Sequence, residues 1–239
     1  MRTSWVKKIK YATFWHVRYG LFDPLTFILI SIIVLALYFI VTSESEATIY
    51  HNVSLALECT LLPLYALSSS LYLIRDQRVL LFEINMFKDL RCLYISKIIS
   101  FVISFLPLLV TLSLIGTLFN SSWIILPLTV KIITYASLFA SAILLKNTRA
   151  ALLYLATTYM IVPLSSLVVL TTIVTASKQL IDPLFSVFFY YVSPITMVEF
   201  SKFSVIPLSK GYIIALLMSL VIISLSMIIF ERLEYDISE

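Results

Sequence analysis

The side chains able to do chemistry in this sequence are few and far apart. His16 and His51 have no serine, cysteine or carboxylate partner at a motif distance, and Cys59 and Cys92 stand in an apolar run and a basic segment respectively. A metal centre needs a cluster of Cys, His, Asp or Glu at ligand spacing, and nucleophilic catalysis needs a nucleophile beside a base. Neither pattern occurs, so no metal site, no catalytic residue and no bound cofactor are expected. The three glycines, Gly20, Gly116 and Gly211, are too dispersed to form a loop that lets the backbone approach a phosphate. Any nucleotide chemistry must come from another subunit.

What remains are two ions in apolar runs and one amphipathic segment. Glu58 and Lys131 each interrupt a stretch that is otherwise uncharged. An isolated ion in hydrocarbon is costly and favours a partner or a wet cavity. Counted from the outer ends of their runs, they lie about 9 Å and about 13 Å deep at the helical rise. Mutual pairing is therefore one reading; the other has Lys131 snorkelling to the interface and Glu58 neutral near the outer surface. The segment from Asp76 to Lys97, DQRVLLFEINMFKDLRCLYISK, interleaves Val79, Leu80, Phe82, Ile84, Met86, Phe87 and Leu90 with Arg78, Glu83, Lys88, Asp89 and Arg91. A turn between neighbouring helices needs only a few residues. An amphipathic helix of this length docks on a soluble partner or lies on lipid.

The elements that carry these residues follow from composition and length. Of 239 residues 61% are hydrophobic and 13% charged, and the mean hydropathy is +1.03. That leaves too little polar surface to cover a water-soluble fold. A helix crosses a hydrocarbon core of roughly 30 Å with about 20 residues. Six runs qualify: residues 24–42, 53–74, 98–119, 123–145, 150–176 and 211–230. The third and fourth are separated at Asn120-Ser121-Ser122, where the uncharged stretch is too long for one crossing. Residues 182–199, cut by Pro183 and Pro194, are too short and broken to span, and are expected to form an outer re-entrant or interfacial hairpin. Its aromatic residues Phe188, Phe189, Tyr190 and Tyr191 suit an interfacial belt or an outer gate.

Lysine and arginine set the orientation. They crowd residues 2–18, 75–97 and 146–149, whereas 43–52 and 120–122 carry none and the long last outer segment holds only Lys178, Lys202 and Lys210; the net charge is +4. Both termini are therefore expected on the cytoplasmic side of the cell membrane, in a multi-pass protein. This placement, rather than nucleic-acid binding, accounts for the basic excess. The first residues are charged and aromatic and precede a run too long for a secretory h-region, so no cleaved signal is expected. Two glycosylation sequons, at Asn52 and Asn120, fall outside in this topology. Residues 4–20 mix four basic residues with Trp5, Tyr11, Phe14, Trp15 and Tyr19, as in a helix lying at headgroup level. Without GxxxG, helix contacts must use small residues such as Ala66, Ser68, Ser69 and Ser70, and Ser137, Ala140 and Ser141.

The chain resembles the six-span permease subunit of type-2 ABC transporters, the exporter-type membrane domains. In that family the second span is followed by D/E-R-x-x-x-x-L-E-x-L-x-x-x-P-x-x-R-x-x-x-x-x-K. This sequence offers Asp76, Arg78, Phe82-Glu83, Lys88, Arg91 and Lys97 at comparable offsets. Ser193-Pro194-Ile195-Thr196 is similar to the S-P-L-T run of the family's outer hairpin. The order of elements also matches over nearly the whole chain. Asn85 to Phe87 stand where many members carry proline, and the segment has no glycine.

The resemblance implies that residues from about Arg78 to Leu90 form a coupling helix seated on a separate ATP-binding cassette subunit, with Phe82, Glu83, Met86, Phe87, Lys88, Asp89 and the following Arg91 at the contact. It implies a pair of such subunits holding ATP and Mg, and a second permease copy or a similar permease. ATP-driven closure would then move an amphiphilic, lipid-linked or peptide-like cargo outward. Two other readings stand beside it. A mechanotransmission subunit serving an outer assembly factor would couple ATP hydrolysis to movement without accumulating cargo in inside-out vesicles. A self-contained carrier would need no ATPase and would tolerate scrambling of residues 79–90.

Overall fold

A computed structural model of the chain describes residues 5–21, isolated positions between 28 and 35, and residues 62–74, 77–110, 113, 125–145, 147–162 and 208–233. Among these every regular element is helical: α1 (Trp5–Leu21), α2 (Leu62–Leu73), α3 (Gln77–Phe87), α4 (Leu90–Ser104), α5 (Ile125–Ala142), α6 (Thr148–Ala156) with a π turn at Thr157–Ile161, and α7 (Leu208–Arg232). Most of the predicted first span, Glu58, both sequon asparagines, most of the fifth span and the whole outer hairpin lie outside the described residues.

Among the described residues, two helices are long and apolar enough to cross a membrane. One runs from Leu90 to Val110 with mean hydropathy 2.1, the other from Lys210 to Arg232 with 2.9. At 1.5 Å per residue, 21 residues reach about 31 Å, the thickness of a hydrocarbon core. The outer side of α7 presents Ile213, Leu217, Leu220, Val221, Leu225, Ile228 and Ile229, a face suited to hydrocarbon or another helix rather than water.

Helix α4 starts eight residues before the expected Ile98, and its cap explains why. Asp89 is extended, with φ −156° and ψ 104°, and its carboxylate accepts from the Cys92 backbone N–H at 3.2 Å. An aspartate there satisfies a donor that has no partner within the helix. The basic stretch Arg91 to Lys97 is thereby drawn into the apolar helix instead of forming a loop. Farther on, Phe105 N–H reaches Val102 O at 3.1 Å, a local tightening two residues ahead of Pro107, which has no N–H to continue the ladder. Asn147 caps α6 in the same manner as Asp89 caps α4, accepting from Arg149 N–H at 2.9 Å.

Aromatic rings fill the centre. Phe101 of α4 stacks on Phe139 of α5 at 4.7 Å and meets Phe105 edge-on at 5.2 Å. Tyr65 packs on Phe105 and donates its hydroxyl to Ser104 O. Tyr94 reaches Ile223 O on α7 at 3.1 Å, and Tyr159 reaches Tyr135 O on α5 at 3.0 Å. A tyrosine in a dry interior must hand its hydroxyl proton to something, and main-chain carbonyls of neighbouring helices serve. Small residues allow the close approach. Ser96, Ser100 and Ser104 turn their hydroxyls back onto carbonyls of their own helix at 2.6–2.7 Å. Ser100 also touches Thr13 O of α1 at 3.4 Å. Ala66, Ser68, Ser69 and Ser70 on α2, and Ser137 and Ala140 on α5, are buried, while Ser141 is half-buried and bonded to Tyr154 at 2.9 Å.

Candidate functional site

The first half of the amphipathic segment forms the short helix α3 between α2 and α4, and its two sides differ in kind. Val79, Phe82 and Met86, spaced i, i+3 and i+7, stand on the outer side; Phe82 is 60% exposed. This spacing lines side chains along one face. On the inner side Leu80 packs against the core, and Phe87 lies 6.4 Å from Trp15 and 6.5 Å from His16 of α1, ring to ring. Glu83 is 0% exposed. It therefore faces the bundle and is not available to a partner.

Glu83 is the centre of a buried ionic cluster. Lys97 Nζ approaches its Oε2 at 2.8 Å, an ion pair without hydrogen-bond alignment at the carboxylate. The same Nζ donates to Leu73 O at 3.0 Å. Leu73 ends α2, where the last carbonyls lack helical partners, so the ammonium caps one helix while it pairs with another. His16 Nδ1 of α1 lies 3.9 Å from Glu83 Oε1, beyond hydrogen-bond range. Four helices thus meet in one cluster: His16 of α1 and Lys97 of α4 approach the Glu83 carboxylate of α3, and Lys97 in turn holds Leu73 O of α2. Removing two charges from water costs several kcal/mol each, which their attraction offsets only if both remain in place. The cluster fixes the middle of α3 to α1, α2 and α4.

The corner between α3 and α4 is held by backbone. Lys88 has φ 51°, and its N–H bonds Ile84 O at 2.8 Å. This is the left-handed residue that ends many helices, usually glycine. With no glycine in the segment, a lysine occupies the position and exposes its side chain. Asp89 follows at once as the cap of α4, so one helix ends and the next begins within two residues.

The predicted contact residues therefore divide. Phe82, Met86 and Lys88 are exposed; Phe87 and Leu90 are partly buried in the bundle; Asp89 caps α4. Arg91 turns to α7 and pairs with Glu231 at 2.6 Å. Arg78 lies within α3. The pairing of Glu83 with Lys97 is not expected from the sequence, in which both fall within the amphipathic segment. One signal is present: Lys97 falls on the Tyr94, Phe101, Phe105, Leu108 stripe that forms the buried face of the Leu90–Val110 helix.

Lys131 is buried on α5 beside Ile132 and Val130. Its predicted partner Glu58, and the hairpin residues Phe188, Phe189, Tyr190, Tyr191, Ser193 and Pro194, lie outside the described residues. Cys92 is a buried free thiol, and no cluster of metal-ligating side chains occurs among the described residues. A carboxylate and an ammonium enclosed as Glu83 and Lys97 are cannot reach a substrate in this conformation, and their arrangement suits positioning. The chain matched no protein-family model, no curated protein and no solved structure.

Proposed function

We propose that the chain is the membrane-spanning permease subunit of an ATP-driven exporter of the type-2 ABC kind, with six spans and both termini in the cytoplasm. Cargo of amphiphilic, lipid-linked or peptide-like character moves outward through a pathway formed with a second copy or a similar permease. A separate pair of ATP-binding subunits, holding ATP and Mg, supplies the work. The observation that carries this reading is α3: a short amphipathic helix anchored internally through Glu83 while Val79, Phe82 and Met86 stand outward. A helix meant only to connect α2 and α4 has no need of an exposed apolar ridge. Pairing its middle with Lys97 of α4, which also holds the end of α2, gives a push on the ridge a route into the bundle.

The test is purification in mild detergent from the native membrane, with mass spectrometry of the accompanying proteins, beside a variant carrying Phe82→Glu and Met86→Glu. Both substitutions lie on the exposed side, so the fold survives them. An ATP-binding subunit is expected with the parent chain and lost from the variant. Recovery of the parent chain alone, under conditions that preserve other transporter complexes, refutes the proposal and favours a self-contained carrier.

A further inference from the structure

Helix α1 packs by one side only. Ala12 and His16 are buried against the bundle, and α1 meets α4 where Thr13 O approaches Ser100. The opposite face carries Lys7, Lys10, Tyr11, Phe14 and Arg18, all exposed, at the i, i+3, i+4, i+7 and i+11 spacing that aligns side chains along a helix. Three cations and two aromatic rings thus form one stripe, and α1 contains no acidic residue. The level of the stripe is set by its contacts. Lys97, linked to α1 through Glu83 and His16, is the last charge before the uncharged run that starts at Ile98. In a chain that spans a membrane, the contacts of α1 with α4 therefore lie near the boundary between headgroups and hydrocarbon. At that depth aromatic rings and basic side chains are each favoured.

We propose that this face of α1 is a binding surface for anionic phospholipid headgroups, with Lys7, Lys10 and Arg18 on the phosphates and Tyr11 and Phe14 set into the boundary. The complementarity is of charge, three outward cations with no acid on the helix, and of depth. The inference rests on the membrane-spanning character of the chain and not on ATP-driven export. Beside this face, Trp15 of the same helix meets Phe87 of α3 edge-on at 6.4 Å.

The full chain with Trp123→Phe, which leaves Trp5 and Trp15 as its only tryptophans, is reconstituted into phosphatidylcholine vesicles. An equal small fraction of brominated phosphatidylglycerol or brominated phosphatidylcholine is then added, and tryptophan quenching is compared. Brominated phosphatidylglycerol should be enriched at α1, and the enrichment should fall on the order of fivefold for each cation removed at low salt. Lys7→Gln, Lys10→Gln and Arg18→Gln combined should equalise the two lipids while leaving quenching by the phosphatidylcholine form unchanged. Equal quenching by the two lipids in the parent overturns the proposal and leaves the stripe to an acidic protein or to aromatic anchoring alone. A preference that survives the triple variant overturns it as well. Neither result depends on whether an ATP-binding subunit co-purifies.

Discussion

Replacing Lys97 with methionine isolates the energetic role of the buried cluster. The substitution keeps much of the side chain's volume but leaves the Glu83 carboxylate, 0% exposed, without the ammonium that lay 2.8 Å away, and deprives Leu73 O of its donor. At an effective dielectric constant near 20 the lost attraction is about 6 kcal/mol before desolvation is considered. The desolvation cost already met by Glu83 is not returned, and breaking such a pair from one side costs about 3 to 5 kcal/mol. For a chain of this size that corresponds to a melting temperature lower by roughly 6 to 20 °C. Cys92, free and buried, offers the assay: in a Cys59→Ala background a thiol-reactive dye reports thermal unfolding as this thiol becomes accessible. Glu83→Met combined with Lys97→Met removes both charges and should recover most of the loss, because an apolar pair in a buried ion pair's place is often neutral. A melting temperature unchanged by Lys97→Met, or a double variant as unstable as the sum of the single ones, would show that the pair does not hold α3 in place.

Two smaller predictions use the same assay. Lys88→Gly removes the steric cost of a β-carbon at φ 51°, offset in part by glycine's greater unfolded-state freedom, and should stabilise the chain by about 0.5 to 1 kcal/mol; any destabilisation contradicts the assigned helix ending. Tyr159→Phe deletes the hydroxyl that donates to Tyr135 O at 3.0 Å and should cost about 1 kcal/mol, with no effect expected from the same change at exposed Tyr11.

Much of the architecture is legible in the chain itself, because it follows from composition and local length. A chain that is 61% hydrophobic with 13% charge cannot supply a polar shell, so apolar helices follow, and Leu90–Val110 and Lys210–Arg232 have the required length. Asp89 as a cap is likewise a local signal. The amphipathic character of residues 77–87 can be read from their order, since it depends only on 3.6 residues per turn. Which of its side chains face outward cannot. Glu83 falls close in angle to Val79 and Met86 on an ideal helix, and as a charge among apolar residues it reads as a contact for a partner. Only the tertiary structure turns it inward. Its partner Lys97 lies fourteen positions along the chain on a different helix, beyond a helix ending made by a lysine where glycine would be the usual signal. Helix formation is decided by neighbours within a few residues; the pairing of buried charges is decided by which helices pack together, and that choice minimises the number of ions left alone in a medium that cannot solvate them.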